Sequence, residues 1–288
     1  FTTWEELTGA VSSIDSANAQ EVAREVLAAA VQFPGSIASL QFFTGNPFEN
    51  LRQLGPSGNF DGQVIACTDG GDATISGFIA NAGTYTAGDQ LSAIFSACVR
   101  DPSGSPVDSG QLDVQIDSYQ SAPLVQSGSA TFIGLERTVD GNTVTSLGTL
   151  DQSVEIIGGA TLEFDSSAMA FVLIDGLVLR GLSNVQSNSL IDISVPAPRP
   201  LTLNYSGTLA TTALPGTFDY SVVVPIVSVL DDDPATGPTA GETLITADDD
   251  STVTIVAVDN LNARLDVDLD GDTTIDDQID VLWADILP

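Results

Sequence analysis

From Gly55-Pro56-Ser57-Gly58 to the end, the chain alternates apolar and polar residues in short runs broken by Gly, Asp and Asn. In Gln111 to Asp117, Leu112, Val114 and Ile116 face one way while Asp113, Gln115 and Asp117 face the other, the period of a half-buried strand. Comparable runs occur near 73–79, 90–99, 129–136, 168–174, 190–195, 201–209, 220–230, 252–258 and 264–269. Turn signals separate them, among them Gly70-Gly71, Asp140-Gly141-Asn142 and Gly158-Gly159. No strand-helix-strand rhythm is present, so the pattern predicts a mainly β protein: a large antiparallel meander or sandwich, or a partly open barrel.

The first part of the chain reads differently. Ser13 to about Gln32 is rich in helix formers and repeats Val22, Val26, Leu27, Ala30 and Val31 at helical spacing, which predicts an amphipathic helix ended by Pro34-Gly35. The apolar stretch 36–54 that follows reads as a second short helix or a packed crossing segment. The expected organisation is an N-terminal helical segment over 1–58 and an antiparallel β domain over 59–288. Pro196, Pro198 and Pro200 mark either a sub-boundary or a rigid loop.

Charge narrows the chemistry. The chain has 7 basic residues, all Arg, against 39 acids, for a net charge of −32, and it contains no His. Such a charge opposes nucleic acid and anionic membrane surfaces and favours cations as partners. Without His the commonest general base and the Ser-His and Cys-His nucleophile pairs are missing, and no GxSxG elbow, phosphate loop or metalloprotease motif replaces them. No catalytic residue is therefore assigned. No apolar run approaches the ~20 residues needed to span a bilayer, and the start at Phe1 without Met reads as a mature form after loss of a signal peptide. In that setting the even pair Cys67 and Cys98 is expected to be a disulfide.

The motif with most chemistry is Asp266-Val-Asp268-Leu-Asp270-Gly271-Asp272-Thr-Thr-Ile275-Asp276-Asp277. Calcium takes six to eight oxygen ligands, and Asp residues alternating around a Gly turn aim several carboxylates at one point. Counted from Asp268, acids stand at positions 1, 3, 5 and 9, but position 12 is Ile279 and the flanks alternate as strands. The expected site is a calcium-binding hairpin that draws on Asp266, Asp268, Asp270, Asp272, Asp276 and Asp277, in competition with a solvated Asp-Gly turn. The runs Asp231-Asp232-Asp233 and Asp248-Asp249-Asp250 are solvated turns or a second cation site.

The order of motifs resembles a loosely defined group of secreted or lipid-anchored proteobacterial β-rich proteins. The resembling pieces are SSIDSANAQEVA, Cys67-Thr-Asp-Gly70-Gly71, Gly88-Asp89 leading to Phe95-Ser-Ala-Cys98, Ala240-Gly241-Glu-Thr-Leu-Ile-Thr, Val253-Thr-Ile-Val, Leu265-Asp-Val-Asp-Leu-Asp-Gly-Asp and Trp283. The resemblance implies an envelope or extracellular β protein with a disulfide and an Asp-rich turn, and no established activity. The chain departs from lipid-anchored members in having Phe rather than Cys first. The leading expectation is a non-catalytic extracellular protein that self-associates into a filament, sheath or surface layer with calcium-stabilised loops. The alternatives are a periplasmic or surface binding protein for an apolar ligand, and an adhesin or carbohydrate-binding module.

Overall fold

The computed structural model describes residues 8–33, 48–99, 106–121, 124–139, 141–196, 198–230 and 237–287. Helix α1 (Ala19–Gln32) and the short α2 (Phe48–Leu54) precede β1 (Gly58–Ala66), β2 (Asp72–Ile79), β3 (Gln90–Val99), β4 (Val107–Ser121) and β5 (Leu124–Val139). Next come β6 (Asn142–Ile157), β7 (Thr161–Asp175), β8 (Val178–Asp192), β9 (Arg199–Thr211) and β10 (Thr217–Leu230). The chain closes with β11 (Ala240–Ala247), β12 (Thr252–Ala257), β13 (Asn262–Asp268), β14 (Asp277–Leu282) and a terminal turn of helix α3 (Trp283–Ile286). The 14 strands form one open antiparallel sheet whose spatial order is the order of the chain, so of the expected architectures it is the meander.

Strands β4, β5, β7 and β8 reach 15 or 16 residues, about twice the length of the runs that predicted them, and β6, of 16 residues, coincides with none of those runs. Bulges explain the difference: register shifts between Ser109 and Gln111, Ile116 and Ser118, and Ile133 and Leu135 each break the two-residue alternation without ending the strand. The run near 190–195 is only the tail of β8, and the Pro-rich stretch after it leads into β9.

The chain divides into two compact units, one of residues 1–33, 157–164 and 178–288, the other of residues 34–156 and 165–177. In the first, α1 lies against β9, β12 and β13 and touches α3, burying Val22, Ala23, Val26 and Ala29. The helix starts at Ala19 rather than near Ser13 because Asp15 captures the preceding backbone. Its carboxylate accepts from the N–H groups of Ala17 and Asn18 at 2.8 and 2.9 Å, an arrangement that competes with helix. It ends at Phe33, whose extended ψ of 125° is what a following proline demands.

Glu25, on the buried face of α1, accepts two hydrogen bonds from the Arg180 guanidinium and one from the Thr211 hydroxyl. Ahead of the helix, the Ser12 N–H donates to the Asp248 carboxylate at 3.0 Å and the Asp248 N–H donates to Ser12 Oγ at 2.7 Å. These bonds fasten the N-terminal stretch to the turn between β11 and β12.

The second unit buries Ala73, Ile75, Ala93, Leu112, Ile116 and Phe132 on one sheet face. Phe48 and Leu51 of α2 are buried, Phe48 meets Phe95 edge to face, and the Tyr85 hydroxyl donates to the Phe48 carbonyl at 2.7 Å. Cys67 and Cys98 form a disulfide with their Cα atoms 5.5 Å apart. Beside it the 67–71 turn folds against a bulge in β3: Gly71 has φ +69°, and a Cβ there would sit 2.0 Å from the Ala97 carbonyl oxygen. Asp108, opposite Cys98 on β4, is buried and bound by Arg137 on β5 at 2.9 and 3.3 Å.

Candidate metal centre

Strand β13 alternates Leu265 and Val267 into the buried face with Arg264, Asp266 and Asp268 on the other. The turn into β14 then winds around Asp268. Its Oδ1 accepts from the N–H groups of Asp270 and Gly271 at 3.2 and 2.8 Å, and its Oδ2 from that of Thr273 at 2.8 Å. Two left-handed residues, Gly271 and Thr273 with φ +73° and +72°, let the backbone close on that carboxylate. Asp276 fastens the other end by accepting from the Leu269 N–H at 2.8 Å.

This winding brings one carboxylate oxygen each of Asp268, Asp270 and Asp276 to within 4.8 Å of one another. Asp268 is buried, while Asp270 and Asp276 are exposed. Burial raises the pKa of Asp268, but the amides of Thr273, Gly271, Asp270 and Asp272 outweigh it, so the group titrates below the ordinary carboxylate value. Three hard oxygen donors around one point can hold a metal ion.

The other expected ligands, Asp266, Asp272 and Asp277, lie outside this three-carboxylate cluster. Asp266 is gripped by Arg264 at 2.6 and 2.8 Å and also accepts from the Gln278 amide at 2.9 Å. Asp272 accepts from the Thr274 N–H and Asp277 from the Gln278 N–H. Arg264-x-Asp266 was the available signal, because residues two apart in a strand share a face.

Among the other acidic runs, Asp248 binds Ser12, the Thr217 N–H and the Thr217 hydroxyl, and Asp249 binds Ser251, so two of those three carboxylates serve as structural acceptors. Asp231, Asp232 and Asp233 lie outside the described residues. The Gly88-Asp89 turn was read from the sequence, but not that the Asp89 carboxylate is buried and receives the N–H groups of Ala80 and Thr86, both at 2.8 Å.

On the second unit an open depression of about 390 Å³ crosses β2 to β5, lined by Ser76, Gln90, Ser92, Asp113, Gln115 and Thr131 among others. Ser92 Oγ donates to Asp113 at 2.6 Å, and the Gln111 amide donates to both. Among the described residues of its lining Asp113 is the one ionisable group, set among hydroxyl and amide hydrogen-bonding groups.

Among the described residues no helix is long and apolar enough to cross a membrane, and the disulfide is consistent with a non-cytoplasmic protein. Compared with protein-family models, with characterised proteins and with solved structures, the chain matches none.

Proposed function

We propose that this chain is a non-catalytic extracellular structural protein that self-associates through the ends of its sheet and binds calcium in the β13–β14 turn. The observation that carries the reading is the open meander. Among the described residues, β1 and β14 each pair with a strand on one side only. Unpaired strand edges are templates for another chain. Composition points the same way: a protein with no His, a net charge of −32 and a disulfide is suited to a cation-rich exterior and poorly equipped for acid-base catalysis.

The test is sedimentation and electron microscopy of the purified full chain in millimolar calcium and in chelator at matched ionic strength. Regular polymers support the proposal, and monomers under every condition overturn it. A second reading, a carbohydrate-binding module, is favoured by the depression on β2 to β5, whose hydroxyl and amide groups match a polyhydroxylated chain. Glycan binding lost in Asp113→Ala would support that reading.

A further inference from the structure

Building on the self-associating reading, we infer that copies join head to tail, with β14 of one copy adding to β1 of the next as an antiparallel pair. In β14, the Trp283 N–H donates to the Leu261 carbonyl, which continues the register that pairs Val281 with Ala263. Antiparallel alternation therefore turns the main-chain groups of Ile279 and Val281 toward β13 and those of Gln278, Asp280 and Leu282 outward. In β1, the Cys67 N–H donates to the Gly71 carbonyl, continuing the register that pairs Ile65 with Ala73. By the same alternation, Val64 and Ala66 present their main-chain groups away from β2.

Across a new β14–β1 ladder, outward-facing residues stand directly opposite one another and share a face. Val64 and Leu282, 66% and 51% exposed, then fall on one side of the joint, and buried Ile65 and Val281 on the other. The apolar layer continues through the junction. Such a heterologous contact leaves a free β1 at one end of the assembly and a free β14 at the other, so that it extends by further copies unless its rotation closes a ring.

Both edges also carry devices that weaken casual pairing. A bulge between Phe60 and Gln63, with Gly62 at φ +65°, restricts the usable part of β1 to its last four residues, 63–66. Asp61 on one edge strand and Asp277 and Asp280 on the other are like charges. Joining is thus expected to strengthen with ionic strength and further with divalent cations.

The experiment uses two full-length variants, Val64→Pro and Asp280→Pro, each removing an outward N–H without touching a ladder bond. Wild-type melting temperatures confirm folding. Each variant alone should remain monomeric under conditions where wild type polymerises, and an equimolar mixture should form dimers and stop, because each retains the edge the other lacks. Val64→Asp and Leu282→Asp, at exposed side chains, provide a second pair if a proline variant fails to fold. Wild-type-like polymers from both members of either folded pair overturn the head-to-tail joint while leaving self-association standing. A wild type that never assembles overturns both.

Discussion

Glu25 on α1 and Arg180 on β8 are joined by two hydrogen bonds of 3.0 and 3.1 Å, with both side chains almost fully buried. The forked guanidinium matches the carboxylate, and its remaining nitrogen donates to Gln32 at 3.1 Å. Glu25→Ala leaves a buried cation without its partner and is expected to cost about 3–5 kcal/mol, read as lost urea resistance of α1 circular dichroism. Replacing both residues with apolar side chains of similar volume should cost less than the single change.

Calcium added to the folded protein should raise its melting temperature, and chelator should lower it. At a hundredfold excess over Kd, binding to the folded state alone contributes about 2.7 kcal/mol. Asp270→Asn should abolish most of that response. Asp266→Asn should preserve it while lowering baseline stability, because Asp266 is the partner of Arg264. A wild type indifferent to millimolar calcium at constant ionic strength would identify the turn as a solvated hairpin.

Reducing the Cys67–Cys98 bond frees a loop with a sequence separation of 31, which corresponds to about 3–4 kcal/mol in the chain-entropy account. Cys67→Ser together with Cys98→Ser should show the same loss, and reductant should then change nothing further.

Acid should unfold the protein through its low-titrating carboxylates. Burial raises the pKa of Asp248, but the bonds from Thr217 and Ser12 outweigh it, and Asp268 is lowered in the same way. Below an unfolded pKa of about 3.9 the unfolded chain binds more protons than the folded one. This stability is therefore present above about pH 4 and lost as pH falls through the folded values. Asp248→Asn should flatten the dependence of melting temperature on pH in that window.

At the alkaline end, burial pushes Tyr205 up to about 12, against a smaller opposing effect of its bond to Thr243, and burial with the neighbouring Tyr205 raises Tyr220. The folded state keeps protons that the unfolded state releases from about pH 10. Stability should fall as pH rises from there. In a phenolate titration, Tyr205 and Tyr220 should ionise only with unfolding.

The strands were legible because alternation is a direct readout of a pleat: Leu112, Val114 and Ile116 are buried as their spacing requires. Their lengths were less so, since each bulge in β4 and β5 resets the alternation and imitates a strand end. The Asp-rich turn was visible as a motif, but which carboxylates converge depends on backbone reversal at Gly271 and Thr273, and a left-handed Thr leaves no signature. The tasks of Glu25, Asp89 and Asp248 were hidden for a different reason. Each is a single polar residue whose partners lie on other elements, where no periodicity points to them.

The bond between Glu25 and Arg180 spans 155 residues, that from Thr211 to Glu25 spans 186, and that between Ser12 and Asp248 spans 236. Every hairpin of the meander can zip onto the strand made just before it, whereas α1 must wait for strands made long after it. During synthesis α1 is thus a tethered, incomplete piece with an apolar flank and an unanswered carboxylate, and its docking reports that the C-terminal strands have arrived. A chain truncated before β11 would keep its hairpins and the partners of Glu25 but lose the bonds between Asp248 and Ser12.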